Sequence, residues 1–234
     1  MSFKNRSAEK ELLDDPRIPF KDIKRNMYEL NRINQLLGGH EVTRSGMLKF
    51  LNQWGYSRQL TICEIGCGGG DNLQAVKTWM EKQKIAARYI GVDLNPHCIS
   101  YARSVFPNDT TEWICSDYRE VDFTIRPDII FSSLFCHHFS DEELVSMFQW
   151  LNKNAAMGFF INDLHRHPLA FYSIKWLTGL FSNSYLVKND APRSVKRGFK
   201  KKDWIQILQK AGIENFEIEW KWAFRWLLTV NRNG

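Results

Sequence analysis

The feature that most constrains this 234-residue chain is Glu64-Ile65-Gly66-Cys67-Gly68-Gly69-Gly70-Asp71, which follows the apolar run Leu60–Ile65 and precedes a helical pattern. Four glycines within Gly66–Gly70 let the backbone turn tightly between a strand and a helix. Without Cβ atoms in the way, their N–H groups can approach a ligand resting at the helix N-terminus. A loop of this kind is expected where a parallel strand feeds a covering helix.

The surrounding pattern agrees. From residue 60 the chain alternates: strand Leu60–Ile65, helix Asp71–Lys84, strand Ala87–Asp93, helix Pro96–Phe106, strand Thr111–Cys115, strand Asp128–Leu134, helix Asp141–Asn152 and strand Met157–Asn162. Alternating strands and helices of this length predict an α/β fold with a mostly parallel sheet covered by helices on both faces. The aromatic run Leu169–Tyr185 reads as a helical cap inserted at 165–200. A helix at Lys201–Ala211 then leads to Ile213–Trp220 and Ala223–Val230, an expected antiparallel hairpin at the sheet edge, for seven strands in all. Ahead of the alternation, residues 1–55 read as a loosely held arm (1–20) and two helices, 21–37 and 42–54, broken apart at Gly38–Gly39. Residues 56–234 are then the main domain.

Composition excludes several classes. An apolar share of 44% supports a sizeable core, while the longest apolar stretches, such as Phe224–Val230, fall far short of the ~20 residues a membrane helix needs. The first 30 residues are charged throughout, unlike a secretory leader. Five cysteines without CxxC or Cys/His spacing predict free thiols rather than a disulfide framework or a zinc site, and hence a cytoplasmic protein. The net charge of +6 owes much to Arg193–Lys202, which reads as a solvated turn and helix start or as a site for an acidic ligand. Within that stretch Arg193, Lys196 and Arg197 are candidates for an acidic group on an acceptor. The nine tryptophans and sixteen phenylalanines, dense in the C-terminal third, include candidates for an apolar or aromatic pocket.

The glycine loop discriminates between cofactors. In the dinucleotide fingerprint GxGxxG, counted from Gly66 and Gly68, the third glycine position holds Asp71. A carboxylate there would repel a pyrophosphate at the helix N-terminus. A cationic sulfonium is the better match, because Glu64 and Asp71 are acceptable neighbours for positive charge; Asp71 also reads as the cap of the next helix. Asp93, ending the second strand in Gly91-Val92-Asp93-Leu94-Asn95-Pro96, can accept from both hydroxyls of a ribose or cap the Pro96 helix. After the third strand, Asp117 can accept from an adenine amine and Tyr118 can pack near the ring, with a plain surface turn as the alternative.

With these pieces in order, the chain resembles class I S-adenosylmethionine-dependent methyltransferases. EIGCGGG matches their ExGxGxG loop, GVDLNP the acidic second-strand motif and SDY the adenine motif. The resemblance covers 60–165, implies a Rossmann-like sheet, and agrees with a reversed last strand. It implies that Glu64, Gly66 and Gly68 hold the methionine part of S-adenosyl-L-methionine, Asp93 the ribose and Asp117 the adenine, with Cys67, Asp71, Leu94 and Tyr118 as further cofactor-binding candidates. Leu134 and Phe135 would lie beside the methionine tail, and S-adenosyl-L-homocysteine would be the product. The segment Ser132–Phe139 is similar to the small-molecule branch that includes the ubiquinone and menaquinone methyltransferases. INQLLGGH and FINDLHRHPLAFY resemble bacterial methyltransferases found alongside polyketide and aryl-lipid biosynthesis. The Asn/Asp-Pro-Pro-Tyr/Phe tetrapeptide of enzymes acting on exocyclic base amines is missing, which argues against such amines as substrates and leaves other RNA positions open; nucleic acid is not the expected partner.

Methyl transfer from a sulfonium is an in-line displacement that requires no metal; the protein supplies alignment and, for a hydroxyl acceptor, a base. Imidazole suits a phenolic proton near neutral pH. His165, opening the cap after strand five, is the first candidate, and His138, after strand four, the second. His165 and His167 make a poor metal pair, lacking a matching ligand cluster. The expected partner is a small aromatic or apolar acceptor; methylation of RNA or protein, and a non-catalytic cofactor-binding role, are the competing readings.

Overall fold

A computed structural model describes residues 3–15, 17–55, 57–107 and 111–232. Its secondary elements are α1 (Phe20–Leu36), α2 (Gly39–Trp54), β1 (Leu60–Ile65), α3 (Asp71–Lys82), β2 (Ala87–Asp93), α4 (Pro96–Val105), β3 (Thr111–Cys115), β4 (Ile129–Ser133), α5 (Asp141–Asn154), β5 (Gly158–Leu164), α6 (Pro168–Phe181), α7 (Tyr185–Arg197), α8 (Lys201–Lys210), β6 (Phe216–Lys221) and β7 (Arg225–Asn231). The seven strands form one sheet in the order β3-β2-β1-β4-β5-β7-β6. β1 pairs in parallel with β2 and β4, and the reversed β7 joins β5 antiparallel. Rossmann-like topology, helices on both faces and the C-terminal hairpin are all present.

Period-two alternation divides the strands between two cores. Leu60, Ile62, Ile129, Phe131, Phe160 and Leu227 pack against α2, α3 and α4. Cys63, Ile65, Ile130, Phe159, Ile161 and Leu228 pack against α5 and α8. The same alternation sends Asn162 and Asp163, consecutive on β5, to opposite faces, which matters for the site below. Local signals start the helices, although the cap of the Pro96 helix is Asn95 and not Asp93. Asn95 accepts from the His97 N–H with Pro96 in the first turn of α4, and Ser140 and Glu143 form a capping box at α5.

Three local expectations change. The 3–15 segment is not loosely held: Arg6 donates to the carbonyls of Arg197 and Phe139 and pairs with Asp141, and the Leu12 and Leu13 amides donate to the Asp190 carboxylate. Met1, Ser2 and Pro16 of the expected arm, and Tyr56 at the expected domain boundary, lie outside the described residues. The cap is two helices, α6 and α7, so Arg193–Arg197 belongs to the end of a helix rather than to a turn. Finally, Gly70, not Asp71, occupies the N-cap of α3. All five cysteines are free thiols. Among the described residues no helix is long and apolar enough to cross a membrane.

Candidate active site

A cavity of about 780 Å³ lies at the C-terminal ends of β1, β2, β4 and β5, where ligands bind in open α/β sheets. The glycine loop forms its floor. Gly66, at φ +65°, is obligatory: a Cβ there would come within 2.3 Å of the Phe135 ring. Phe135 is carried to that place by Leu134, which itself adopts φ +55° and costs roughly 1–2 kcal/mol of backbone strain.

Asp93 closes the loop from β2. Its Oδ2 accepts from the Gly68 N–H and its Oδ1 from the Asn95 N–H, both at 2.8 Å, so one carboxylate fixes the glycine turn and the entry to α4. Burial, partly offset by those two amides, raises its pKa. Glu64 is buried; one oxygen accepts from Asn72 Nδ2 at 2.9 Å, and burial pushes its carboxyl well up. The other oxygen, Glu64 Oε2, has no hydrogen-bond partner, nor have Asn72 Oδ1 and Asn31 Oδ1. All three residues line the cavity. Acceptors left without donors in this position fit a ligand that brings N–H groups, as the α-ammonium of S-adenosylmethionine does.

Of the residues expected to hold that cofactor, Glu64, Gly66, Cys67, Gly68, Asp71, Asp93 and Leu134 line the cavity together. Asp71 also lies 3.3 Å from His40 Nε2. Leu94, Asp117 and Tyr118 are not among the lining residues. Leu94 is exposed, and Asp117 is ion-paired with Arg119 at 2.5 Å, which holds its carboxyl below the ordinary range. Tyr118 is buried edge-on against Trp150 and Phe139. Asn95 and Cys98, at the start of α4, take the wall on that side.

The two candidate bases part company. His165 lies away from the cavity lining, its Nδ1 accepting from Trp220 Nε1 at 3.2 Å. Burial first, then the nearby His167, Arg166 and Lys200, lower its pKa to about 4. It is therefore neutral, and its basic nitrogen is already engaged. His138 lines the cavity, in the short turn Cys136–His138 that follows β4. Its ring centroid lies 4.4 Å from that of His137, and its Nε2 lies 3.9 Å from Glu11 Oε2.

Sequence reading missed Glu11, His137 and Asp163 as a unit. His137 Nδ1 lies 2.8 Å from Asp163 Oδ1, and its Nε2 lies 3.5 Å from Glu11 Oε1; all three side chains are buried. Glu11 is further fixed by the Ser194 hydroxyl at 2.6 Å. The ligand atoms of Glu11, His137 and His138 lie within 4.8 Å of one another. An imidazolium between two carboxylates, however, presents N–H donors to its surroundings and not metal-binding lone pairs. Also missed was α1, which roofs the cavity with Asn26, Met27, Leu30, Asn31 and Asn34. The signal was there to read: amides interleaved with apolar residues along one helical stripe, where a plain core face would carry none.

Arg193, Lys196 and Arg197 hold the N-terminal segment instead of lining the cavity. Arg193 donates to the Lys10 carbonyl, Lys196 pairs with Glu9, and Arg197 donates to the carbonyls of Glu9, His137 and His138. The part of the cavity beneath the cap is apolar, with Leu164, Ala170, Ile174, Leu177, Val195 and Phe224 in its wall. Trp176 of α6 lines it too while remaining 67% exposed, which places it at the mouth.

Residues 62–157 match a family model described as a methyltransferase domain. The fold is shared with the plantazolicin methyltransferase BpumL, solved with S-adenosylhomocysteine (TM-score 0.67, 15% identity, 94% of this chain and 92% of that one). It is shared as well with magnesium protoporphyrin IX methyltransferase from Synechocystis PCC 6803, also with S-adenosylhomocysteine (TM-score 0.56, 18% identity, 94% and 90%). A third is an O-methyltransferase, so far only inferred, from Nostoc punctiforme PCC 73102 (TM-score 0.63, 13% identity, 97% and 64%). No curated protein sequence matches the chain.

Proposed function

We propose that this chain is an S-adenosylmethionine-dependent methyltransferase that methylates a hydroxyl on a small aromatic or lipid-like acceptor, with His138 as general base; the matching methyltransferase-domain model and the shared fold support the cofactor. One observation carries the reading. His138 shares a single cavity of about 780 Å³ with Gly66, Gly68 and Asp93, so a base and the cofactor loop open onto one space. S-adenosylmethionine, when bound, would supply an electrophilic methyl group with a neutral thioether as its leaving group. The chain's own residues do the rest. Asp93 would hold the ribose, and Glu64, Asn72 and Asn31 would receive the α-ammonium. The apolar wall excludes water from the acceptor, and His138 removes its proton as the oxygen–carbon bond forms.

The size of the cavity and its apolar lining support a small acceptor over RNA, as does the engagement of the basic stretch with the N-terminal segment. The structural neighbours act on plantazolicin and on magnesium protoporphyrin IX, which favours small or peptidic acceptors over macromolecules. Free thiols support a cytoplasmic location. We read residues 56–234 as the methyltransferase domain and residues 1–55 as its roof.

The test is turnover on a panel of phenols and short aryl peptides, followed by mass spectrometry of the methylated product. His138→Gln should lower kcat by roughly 10²–10⁴-fold, the span of general-base catalysis, with S-adenosylhomocysteine affinity unchanged. Turnover restricted to RNA or protein substrates, or unaffected in His138→Gln, overturns the reading.

A further inference from the structure

Arg225 opens β7 at the cavity wall and is 3% exposed. Its Nη1 donates to Asn162 Oδ1 at 3.2 Å and its Nη2 to Asn34 Oδ1 at 2.7 Å. Both acceptors are neutral amides, and among the described residues no carboxylate lies within ion-pairing distance of the guanidinium. A guanidinium carries five N–H donors, so most of its hydrogen-bonding capacity has no partner among the described residues. The one carboxylate that influences it, Asp163, belongs to the opposite face of β5 and is engaged by His137. Natural proteins rarely bury a charge without a counter-charge, because desolvation costs several kcal/mol.

Two further features sharpen the anomaly. The guanidinium lies against the first turn of α2, where a Cβ on Gly39 would stand 3.0 Å from Nη2. That is the positive end of a helix dipole, so the local field disfavours the arginine's charge and favours an anion. The hairpin turn that delivers Arg225 is strained as well. Ala223 and Phe224 both adopt left-handed φ (59° and 56°), where tight hairpins ordinarily place asparagine and glycine. Both line the cavity beside Arg225. Burial lowers the Arg225 pKa to about 10, the direction expected of a cation short of its counter-ion.

We propose that Arg225, braced by Asn162 and Asn34, is an anion-binding residue of the cavity that pairs with a carboxylate on a bound ligand. Two ligands can bring one: the methionine end of the cofactor, or an acidic group on the acceptor, which would then be an aromatic or lipid-like acid. The proposal rests on the methyltransferase reading for the identity of the cavity. Binding measurements test it independently of turnover.

Calorimetry on the full chain distinguishes the two sources. The cofactor probes are S-adenosylhomocysteine and its decarboxylated analogue S-adenosyl-3-thiopropylamine, which keeps the ammonium. The acceptor probes are 4-hydroxybenzoate and 4-hydroxybenzamide. If the cofactor supplies the anion, Arg225→Gln weakens S-adenosylhomocysteine by roughly 10- to 100-fold, the worth of a charged hydrogen bond, and leaves the decarboxylated analogue unchanged. If the acceptor supplies it, both cofactor affinities hold and the wild-type preference for benzoate over benzamide disappears. Arg225→Lys, which keeps the charge but loses the fork, should retain part of the preference in either case. Should Arg225→Gln fail to fold, the wild-type and lysine proteins still report. A wild type with no carboxylate preference in either pair, or a preference untouched by both substitutions, overturns the proposal.

Discussion

In the folded chain His137 Nδ1 meets Asp163 Oδ1 at 2.8 Å, joining the turn after β4 to the end of β5 beneath the cavity. The His137 backbone N–H donates to the other Asp163 oxygen at 3.2 Å, so the pair is held at two points. Glu11 approaches the far side of the ring, making an imidazolium between two carboxylates. Burial disfavours that cation, but the charge and hydrogen bond of Asp163, backed by Glu11, outweigh it and raise the His137 pKa to about 9. The same pairing lowers the pKa of Asp163 and of Glu11 against the effect of their burial.

This triad predicts a pH dependence of stability. A histidine whose folded pKa is raised contributes fully below its unfolded value of 6.5, and the contribution fades as pH climbs through about 9. The amount at stake is roughly 3 kcal/mol, on the order of 5–10 °C in melting temperature for a chain of this size. Melting curves from pH 6 to 9.5 should show that decline in the wild type and a much flatter profile in His137→Gln. Parallel profiles for the two proteins would refute it.

Asp93 anchors both the glycine loop and the proposed ribose contact. Asp93→Ala should weaken S-adenosylhomocysteine by roughly 100-fold, corresponding to one or two charge-assisted hydrogen bonds. Calorimetry checks this, and an affinity within threefold of wild type would remove the assignment.

His165 and His138 should behave oppositely. With its Nδ1 engaged by Trp220 and its place outside the cavity lining, His165 has no free basic nitrogen for an acceptor. His165→Ala should keep kcat within about threefold, whereas general-base loss at His138 costs roughly 10²-fold or more. Steady-state kinetics on one phenolic acceptor compares them directly, and a collapse in His165→Ala alone would reverse the assignment.

Gly66→Ala should abolish cofactor binding and lower the melting temperature. The added methyl would stand 2.3 Å from Phe135, at a φ that alanine resists. Pairing it with Phe135→Ala removes the collision but not the backbone strain, which is worth roughly 1–2 kcal/mol. The double variant should therefore regain part of the lost stability without full binding, as differential scanning calorimetry and titration would show. Full recovery of both would mean that φ is not limiting.

Much of the site could be read from local signals. Gly66 and Gly68 announce a tight approach to a ligand because only glycine tolerates that turn. Asp93 is legible because strand ends in a parallel sheet face one crevice. His138 was legible as a candidate, since it follows a strand, but nothing local separated it from His165. Tyr118 is expected beside the adenine, yet its ring packs into the core against Trp150 and Phe139, partners distant in sequence. Glu11 carried no recognisable signal, because its importance comes from a contact spanning more than a hundred residues.

Alternating periodicity and the glycine turn, both properties of neighbouring residues, determined from the sequence the order of strands and helices, the parallel sheet and the cradle at its C-terminal edge. Tertiary structure alone decided that the N-terminal segment closes over that cradle, that His137 meets Asp163 and Glu11, and that Arg225 is buried beside neutral amides. Those outcomes depend on which distant surfaces meet when the chain closes. Charge pairing and desolvation are set there, by three-dimensional proximity, and no local pattern encodes them.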